Sequence, residues 1–385
     1  MYTLLLLGSA AAAAAATPLT LLDARSYPLA RCMDGSPGGF YLETARGPPA
    51  AAATSWVIEL EGGGECASQR LCDARRGTPL ASSLHFPASA TLGNLASGNP
   101  EHNPRLARWN RVHVPYCSQD LWMGTRTTNA SGQDPAVGNG TLGYYFAGHR
   151  ILEAVLAELA AAHGLGDATN IVLTGESAGG IGVWPNLDWL AQQFPAARVV
   201  GAPIAGFYFF AYPYQGPGHT DSGLADFRAP AWPQHAKLWG SFVDEDCRRA
   251  LGDRAYACSL ANYSFPFVTS DAFVVESQTD KVVIEYHDWV PESQDPHFSQ
   301  EVRAYLTAWQ ANMTRALAPA MDGGNKKNGV FNPACFIHTG FDADGPLIGN
   351  ASYYAAFDAW FHGEKPELWK LQDDCGILCN PTCPH

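Results

Sequence analysis

A serine lies between small residues in the segment GESAG, residues 175–179. A strand-like apolar run, residues 171–174, precedes it, and a helix-like pattern follows over residues 178–193. At a tight strand-to-helix turn a serine projects its hydroxyl above the sheet, and the helix N-terminus favours negative charge there. The pattern predicts that Ser177 is a nucleophile. A glycine-rich turn with an idle serine is the alternative.

A serine hydroxyl needs a base to take its proton and an acid to orient that base. Where the nucleophile sits on such a turn, the acid follows a late strand and the histidine comes later still. Asp280 follows a late strand-like run, and His338 lies in a later loop. Glu276 competes for the role of the acid, and His287 and His297 compete for the role of the base. The residues alone do not rank these candidates.

Three consecutive glycines occur in the segment LEGGGEC, residues 60–66, directly after an early strand-like run. Such glycines can turn backbone N–H groups toward one point, which is what an oxyanion hole requires. We expect the donors to be the N–H groups of Gly63, Gly64 and Ala178. A plain loop beside a pair of cysteines is the alternative.

Strand-like and helix-like segments alternate over the first half of the chain, which predicts an α/β fold with a mostly parallel sheet flanked by helices. The alternation stops at residues 206–263, which are dense in Pro, Gly and aromatic residues. An insertion into an open parallel sheet usually lies above the carboxyl ends of the strands, where ligands bind. We expect this insertion to form a cap that a disulfide between Cys247 and Cys258 holds together. An ordinary surface segment is the alternative. Residues 366–385 form a cysteine-rich tail of one domain that spans residues 17–385.

Residues 1–16 combine a short apolar run with a stretch of alanines, which is typical of a secretory signal peptide. A short signal anchor is the alternative, and no later stretch has the roughly 20 apolar residues that span a bilayer. Ten cysteines and five Asn-x-Ser/Thr acceptors also favour an oxidising, secretory route. The glycosylation candidates are Asn129, Asn139, Asn262, Asn312 and Asn350.

The tail carries three cysteines, Cys375, Cys379 and Cys383, followed by His385, a set that could suggest a metal cluster. Its spacing is not the Cys-x-x-Cys of zinc sites, and the predicted compartment favours oxidised thiols. We therefore expect structural disulfides there, and we expect the protein to need no metal and no cofactor.

The formal net charge is −13, so the protein as a whole repels polyanions and nucleic acid is an unsuitable partner. A polyanionic substrate would need basic residues gathered locally. Arg70, Arg75 and Arg76 are the nearest candidates for this role, and a solvated loop is their alternative role.

Five blocks of the chain resemble, in order, blocks of the pectin acetylesterase/Notum family. They read LEGGGEC, SSLHFPASATLGNLASGNP, RWNRVHVPYCSQDLWMG, GESAGGIGV and NPACFIH, and the resemblance extends over roughly residues 32–375. Members of this family are secreted α/β-hydrolases that cleave carboxylic esters without a metal, so the resemblance implies the α/β-hydrolase fold. Plant members deacetylate pectin, and animal Notum removes a fatty acyl group from a secreted signalling protein.

By position, the resemblance implies that Ser177 is the nucleophile, Asp280 the acid and His338 the base. It favours this assignment over Glu276 and His287. The resemblance also pairs several cysteines, and the disulfide candidates it gives are Cys32 with Cys117, Cys66 with Cys72, and, without an assigned partner, Cys335 and Cys375.

One departure from the family bears on the substrate. Where both branches have an aromatic residue beside the oxyanion glycines, this chain has Glu65 after Gly64. A carboxylate in place of aromatic bulk argues against a fatty-acyl pocket. The blocks YCSQDLWMG and GIGVWPNLDWLA are nevertheless closer to Notum, and Trp184 with residues 207–210 could line an acyl pocket or simply pack in the core.

From the residues and the resemblance together we predict a secreted, monomeric serine carboxylesterase with no stable membrane insertion. Its predicted substrate is an acetylated cell-wall or extracellular polysaccharide such as pectin. A Notum-like deacylase acting on a lipidated protein is the first alternative. A catalytically silent binding protein on the same fold is the second, although both the serine and the histidine that such proteins often lose are present here.

Overall fold

The computed structural model describes residues 16–127, 143–219, 224–292, 297–322 and 327–384. Within these ranges the strands form one ten-stranded sheet and one two-stranded sheet. The strands are β1 (Thr17–Leu21), β2 (Gly39–Glu43), β3 (Ser55–Leu60), β4 (Ser89–Ala90), β5 (Asn110–Val114), β6 (Asn170–Glu176), β7 (Arg198–Ile204), β8 (Phe273–Val275), β9 (Thr279–Asp280), β10 (Gly329–Asn332), β11 (Phe336–Ile337) and β12 (Lys370–Gln372).

The ten-stranded sheet runs in the order β12-β10-β8-β7-β6-β3-β5-β2-β1-β4. All pairs from β12 to β5 are parallel, and the remaining pairs, which involve β2, β1 and β4, are antiparallel. Strand β3 lies in the middle and is buried at every residue, because both faces of the sheet are covered. The sheet is therefore mostly parallel, as the alternation of segments predicts.

Helices cover the two faces of this sheet. They are α1 (Gln69–Arg75), α2 (Gly148–Ala162), α3 (Ala178–Gln193), α4 (Trp232–Trp239), α5 (Glu245–Leu251), α6 (Ala261–Ser264), α7 (Gln300–Asp322) and α8 (Tyr353–His362). Successive residues of β3 point to opposite faces: Trp56 and Ile58 belong to the same apolar core as α2, α3 and α7, whereas Val57 belongs to the core under α8. In the part of the chain that the structure describes, no helix is long and apolar enough to cross a bilayer.

The insertion at residues 206–263 contains, in its described part, helices α4, α5 and α6 and a 3₁₀ helix, Gly252–Ser259. Each of them spans only four to eight residues, which is too short to leave a periodic pattern in the sequence. The aromatic residues of the insertion pack on one another, with ring centroids 4.8 Å apart for Phe210 and Tyr263 and 5.0 Å apart for Phe227 and Trp232. Phe210, Phe227 and Trp232 also belong to the apolar core that contains Trp56 and Ile58, so the insertion is packed into the main core of the domain.

All ten cysteines form disulfides. The bonds are Cys32–Cys117, Cys66–Cys72, Cys247–Cys258, Cys335–Cys383 and Cys375–Cys379. The last two give the cysteine-rich tail its connectivity, which the sequence leaves open. The Cys335–Cys383 bond fixes the tail to the segment just before His338, so the tail is held beside a predicted catalytic residue.

The five predicted glycosylation sites lie in different surroundings. Asn262 and Asn312 are half-buried, and Asn350 is exposed. Asn129 and Asn139 lie outside the described residues, as does the predicted signal peptide apart from its last residue.

Glycines let α3 pack closely against the carboxyl end of β3. A Cβ atom at Gly179 would lie 1.9 Å from the Leu60 carbonyl oxygen, and one at Gly175 would lie 2.6 Å from the same atom. No real Cβ approaches a backbone oxygen so closely, and a backbone atom cannot rotate away as a side chain can. Any larger residue at position 179 must therefore displace the start of α3 from the sheet.

We predict that Gly179→Ala lowers the free energy of unfolding by about 2 kcal/mol or more, because the added methyl overlaps the Leu60 carbonyl. Urea unfolding followed by tryptophan fluorescence measures the change. Gly93→Ala is the matched control, since a Cβ at Gly93 meets nothing within 4 Å and the φ of Gly93 is −112°. A Gly179→Ala protein as stable as the Gly93→Ala protein would contradict the steric argument.

Candidate active site

Ser177 occupies the turn between β6 and α3. Its backbone has φ 55° and ψ −122°, a conformation that side-chain-bearing residues rarely adopt. The turn is fixed on both sides: the Ser177 N–H donates to the Ile204 carbonyl at 3.0 Å, and the Ser177 carbonyl accepts from the Ile181 N–H at 2.9 Å. The result is a serine held at the end of the strand, lining a cavity above the sheet.

Asp280 and His338 meet through the small β9/β11 sheet. The two strands are parallel, with Thr279 opposite Phe336 and Asp280 opposite Ile337, so His338 follows directly beside Asp280. The Asp280 Oδ2 atom lies 2.8 Å from His338 Nδ1, and Oδ1 accepts the Val283 N–H at 3.0 Å. An ionised carboxylate only accepts hydrogen bonds, so this contact favours the imidazole tautomer that carries its proton on Nδ1 and its lone pair on Nε2.

His338 Nε2 is buried, and among the described residues it has no hydrogen-bond partner, so it is not bonded to Ser177. Both residues line the same cavity. In enzymes without substrate the hydrogen bond between base and nucleophile is often long and tightens only in the complex. An arrangement of this kind lets a histidine reach a serine hydroxyl once a substrate is bound.

The competing acid and bases have other surroundings. Burial and the neighbouring charge of Asp280 raise the pKa of Glu276 well above its usual range, and Glu276 accepts the Phe207 N–H at 2.8 Å. His287 lines the cavity, but its Nδ1 lies 3.1 Å from the Ala225 carbonyl oxygen and burial lowers its pKa to about 4. His297 is exposed and does not line the cavity. The carboxyl group that contacts His338 is therefore that of Asp280.

The glycine loop of the LEGGGEC segment lies against Ser177. Gly63 and Gly64 have φ of 146° and 70°, and a Cβ at Gly62 would lie 3.0 Å from the Ser177 Cβ. The loop is held by Glu61, whose carbonyl accepts the Trp122 indole N–H at 2.9 Å. The predicted oxyanion donors Gly63, Gly64 and Ala178 all line the same cavity as Ser177.

The cavity that Ser177 and His338 line, which we call the catalytic cavity, has a volume of about 480 Å³. Its apolar wall consists of Leu80, Ile181, Leu224 and Val282, and its polar wall includes three carboxyl groups, those of Glu61, Glu65 and Glu176. The sequence singles out only Glu65 of these three. The sequence indicates Glu61 and Glu176 only by their positions. Glu61 directly follows β3 and precedes the glycines, and Glu176 is the last residue of β6 and precedes Ser177.

Burial governs the charge of these carboxyl groups. It raises the pKa of Glu65 to about 7, opposed by the hydrogen bond from the Ala225 N–H at 2.9 Å. Burial also raises the pKa of Glu176 to about 7, with a further contribution from the charge of Glu59. Near neutral pH the polar wall of the cavity therefore carries less negative charge than its composition indicates.

Some of the residues that the sequence suggests for substrate contact line the cavity, and others are buried in the core. Of the three candidate arginines only Arg75 lines the cavity, and of residues 207–210 only Tyr208 does. Trp184 is fully buried and packs on Phe207 and Phe265, with its indole N–H donating to the Gly206 carbonyl at 3.0 Å. Trp184 is thus a core residue and does not line this cavity.

Known proteins of one family are similar to this chain over nearly its whole length. A family model described as pectinacetylesterase matches residues 10–384. Human palmitoleoyl-protein carboxylesterase NOTUM is 30% identical over 381 residues, which cover 92% of this chain and 71% of the human protein. Pectin acetylesterase 5 of Arabidopsis thaliana is 27% identical over 371 residues, which cover 91% of this chain and 81% of the plant protein.

A solved structure, that of the Wnt deacylase Notum from Drosophila, matches with a TM-score of 0.79 at 27% identity and covers 96% of this chain and 100% of that chain. This likeness confirms the predicted α/β-hydrolase fold with a mostly parallel sheet flanked by helices. The family model and the named relatives agree in their chemistry, the hydrolysis of carboxylic esters. The chain belongs to the pectinacetylesterase family and is a carboxylic ester hydrolase.

Proposed function

We propose that the protein is a secreted serine esterase that removes acetyl groups from a cell-wall or extracellular polysaccharide such as pectin. The observation that carries this proposal is the cavity in which a strained Ser177 and the His338–Asp280 pair, 2.8 Å apart, lie with a glycine loop. Secretion is inferred from residues 1–16, and the five disulfides support it.

In the proposed reaction His338 Nε2 takes the proton of the Ser177 hydroxyl as the oxygen attacks the ester carbonyl. Asp280 holds the imidazole in the required tautomer and stabilises the positive charge that it gains. The N–H groups of Gly63, Gly64 and Ala178 stabilise the tetrahedral oxyanion. His338 then gives its proton to the leaving alcohol, and a water activated by the same histidine releases the acid from the acyl-enzyme.

Packing beside the oxyanion glycines supports a short acyl group. A Cβ at Gly63 would lie 2.5 Å from Leu80 Cδ2, and one at Gly64 would lie 2.9 Å from Leu224 Cδ2, so two leucines press on the loop. The hydrogen bond between Glu65 and the Ala225 N–H holds Leu224 in place. The same cavity is lined by three carboxyl groups, which are poor neighbours for an alkyl chain because their desolvation is unfavourable.

Deacylation of a lipidated protein is the second candidate. Two observations favour it: the cavity volume of about 480 Å³ exceeds what an acetyl group fills, and human NOTUM, named for palmitoleoyl-protein hydrolysis, is 30% identical. In the proposal that we prefer, the remaining volume holds part of the polar alcohol. A catalytically silent binding protein ranks last, because Ser177, Asp280 and His338 are all present.

We predict that Ser177→Ala lowers kcat on p-nitrophenyl acetate by about 10⁴-fold or more, because no other group supplies the nucleophile. Asp280→Asn should lower it by about 10⁴-fold, because the amide favours the wrong tautomer of His338. The control is His297→Ala, which removes an exposed histidine outside the cavity and should leave the rate within about twofold. A loss of less than tenfold for Ser177→Ala would refute the proposed triad.

We predict that kcat/KM falls from acetyl to butyryl, octanoyl and palmitoyl p-nitrophenyl esters. Leu224→Ala removes a side chain that presses on the oxyanion loop, so the octanoyl-to-acetyl ratio should rise about tenfold. Leu84→Ala, at a leucine that is 79% exposed, is the control and should not change the ratio. A wild-type optimum at octanoyl or longer would favour the deacylase instead.

We predict that Glu65 destabilises the folded protein as the pH rises from about 4.5 to 7, so that the melting temperature of the wild type falls relative to that of Glu65→Gln over this range. Because burial raises the pKa of Glu65 from 4.5 to about 7, the folded state binds the proton more tightly than the unfolded state does. The stability from this group is complete below pH 4.5 and is lost as the pH rises through 7. Glu65→Gln should reduce the fall, because glutamine can still accept the Ala225 N–H but does not ionise.

Thermal unfolding of both proteins across this pH range measures the difference. Glu101→Gln, at an exposed turn residue, serves as the control and should follow the wild-type curve. If Glu65→Gln and Glu101→Gln lose the same number of degrees, Glu65 is not a source of the pH dependence.

A further inference from the structure

His287 is a buried histidine that the proposed reaction does not use. It is 3% exposed, and it lines the catalytic cavity together with Ser177 and His338. It is the last residue of a π-helix, Val283–His287, a kind of short element that occurs often at functional sites. The charges of Asp280 and His338 both influence its pKa, which places it near the proposed base. A second imidazole therefore faces the space in which the proposed ester binds.

The same carboxylate fixes the proposed base and this π-helix. Asp280 Oδ2 contacts His338 Nδ1 at 2.8 Å, and Asp280 Oδ1 accepts the N–H of Val283, the first residue of the π-helix, at 3.0 Å. At the other end Asp288 Oδ2 accepts the Trp309 indole N–H at 2.8 Å. Because the π-helix is held at both ends, its last residue has a defined position relative to His338.

The ring of His287 is held in one orientation. It stacks on Phe227, with ring centroids 3.7 Å apart and ring planes 21° apart, and its Nδ1 lies 3.1 Å from the Ala225 carbonyl oxygen. A carbonyl oxygen only accepts hydrogen bonds, so this contact favours the imidazole tautomer that carries its proton on Nδ1. In this tautomer the lone pair lies on Nε2, which then acts as a hydrogen-bond acceptor.

The Nε2 atom of His287 is available to a ligand. Among the residues that the structure describes, this nitrogen has no hydrogen-bond partner, and its residue lines the cavity. Burial lowers the pKa of His287 to about 4, an effect that the hydrogen bond to the Ala225 carbonyl opposes. The imidazole is therefore neutral near pH 7, and its Nε2 accepts a hydrogen bond but does not donate one. Since buried polar groups are normally paired, a ligand with an O–H group completes the hydrogen bonding of this residue.

The alcohol half of the ester is the part of the substrate that can supply this O–H group. The proposed base gives its proton to the leaving alkoxide, so the alcohol lies beside His338 when the ester breaks. A neighbouring cavity of about 760 Å³, which Arg303 and Cys383 help to line, shares His338 with the catalytic cavity, so a large alcohol has room on both sides. In a partly acylated polyol, a carbon next to the ester carries a free hydroxyl group. Such a hydroxyl is the donor that His287 Nε2 lacks.

We propose that His287 Nε2 accepts a hydrogen bond from a free hydroxyl group of the alcohol that carries the ester. This inference rests on the proposed function and adds to it a residue that recognises the alcohol and the class of that alcohol, a partly acylated polyol. An alcohol without a free hydroxyl group leaves the buried nitrogen unpaired, so the enzyme discriminates against its ester. The proposed triad does not supply this discrimination, because it acts on the ester group that both kinds of substrate share.

The test compares two acetate esters of three-carbon alcohols with the full chain. Glyceryl monoacetate has free hydroxyl groups and propyl acetate has none, and acid release in a pH-stat gives kcat/KM for both. His287→Phe keeps a ring that can stack on Phe227 but removes the acceptor, so the glyceryl-to-propyl ratio of kcat/KM should fall about tenfold. His287→Gln keeps a donor for the Ala225 carbonyl and an acceptor for the ligand, so its ratio should stay within about threefold of the wild-type ratio.

His235→Phe is the matched control. His235 also stacks on an aromatic ring, that of Trp239, and its Nε2 lies 2.8 Å from the Asp226 carbonyl oxygen, but it does not line the catalytic cavity. This variant should keep the wild-type ratio, and because each ratio compares two esters on one sample, partial unfolding does not change it. Equal losses on both esters in His287→Phe, or the same fall of the ratio in His235→Phe, would overturn the proposal. Absence of serine-dependent hydrolysis of p-nitrophenyl acetate would instead refute the proposed esterase.

Discussion

The close contact between the start of α3 and the end of β3 is the constraint on which the site depends. Gly175 and Gly179 allow backbone to approach the Leu60 carbonyl where no Cβ fits. The same approach brings the Ser177 turn against residues 61–64, which continue directly from β3. Strain at Ser177, with φ 55°, persists because β6 is paired along its length with both β3 and β7. One steric contact therefore fixes Ser177 and the glycine loop relative to each other.

The other half of the site depends on much less regular structure. Asp280 and His338 are brought together by β9 and β11, strands of two residues each. Cross-links reinforce this small sheet: the Thr279 hydroxyl donates to the Cys335 carbonyl at 2.6 Å, and Cys335 is bonded to Cys383 in the tail. The Cys335–Cys383 disulfide thus bears on the proposed chemistry, because it stabilises the strand that positions His338, the proposed base.

The sequence predicts those parts of the structure that local patterns encode. Strand β6, the turn at Ser177 and helix α3 follow from an apolar run, crowded glycines and helical spacing, and the predicted helix at residues 178–193 is observed as Ala178–Gln193. Two-residue strands leave no pattern, so the residues alone could not choose Asp280 over Glu276 or His338 over His287, and only the resemblance did. The sequence also does not predict which residues line the cavities beside His338, because Leu224, Arg303 and Cys383 come from segments far apart in sequence.

Glu276 shows how burial assists the proposed triad without contact with substrate. Two neighbouring carboxyl groups in a buried site cannot both be ionised without a large unfavourable interaction. Burial and the charge of Asp280 raise the pKa of Glu276 far above its usual range, which favours the neutral form of Glu276 beside the carboxyl group that contacts His338. The Phe207 N–H, which donates to Glu276, fixes this residue to the start of the insertion. The residue that competes with Asp280 in the sequence therefore supports it in the structure.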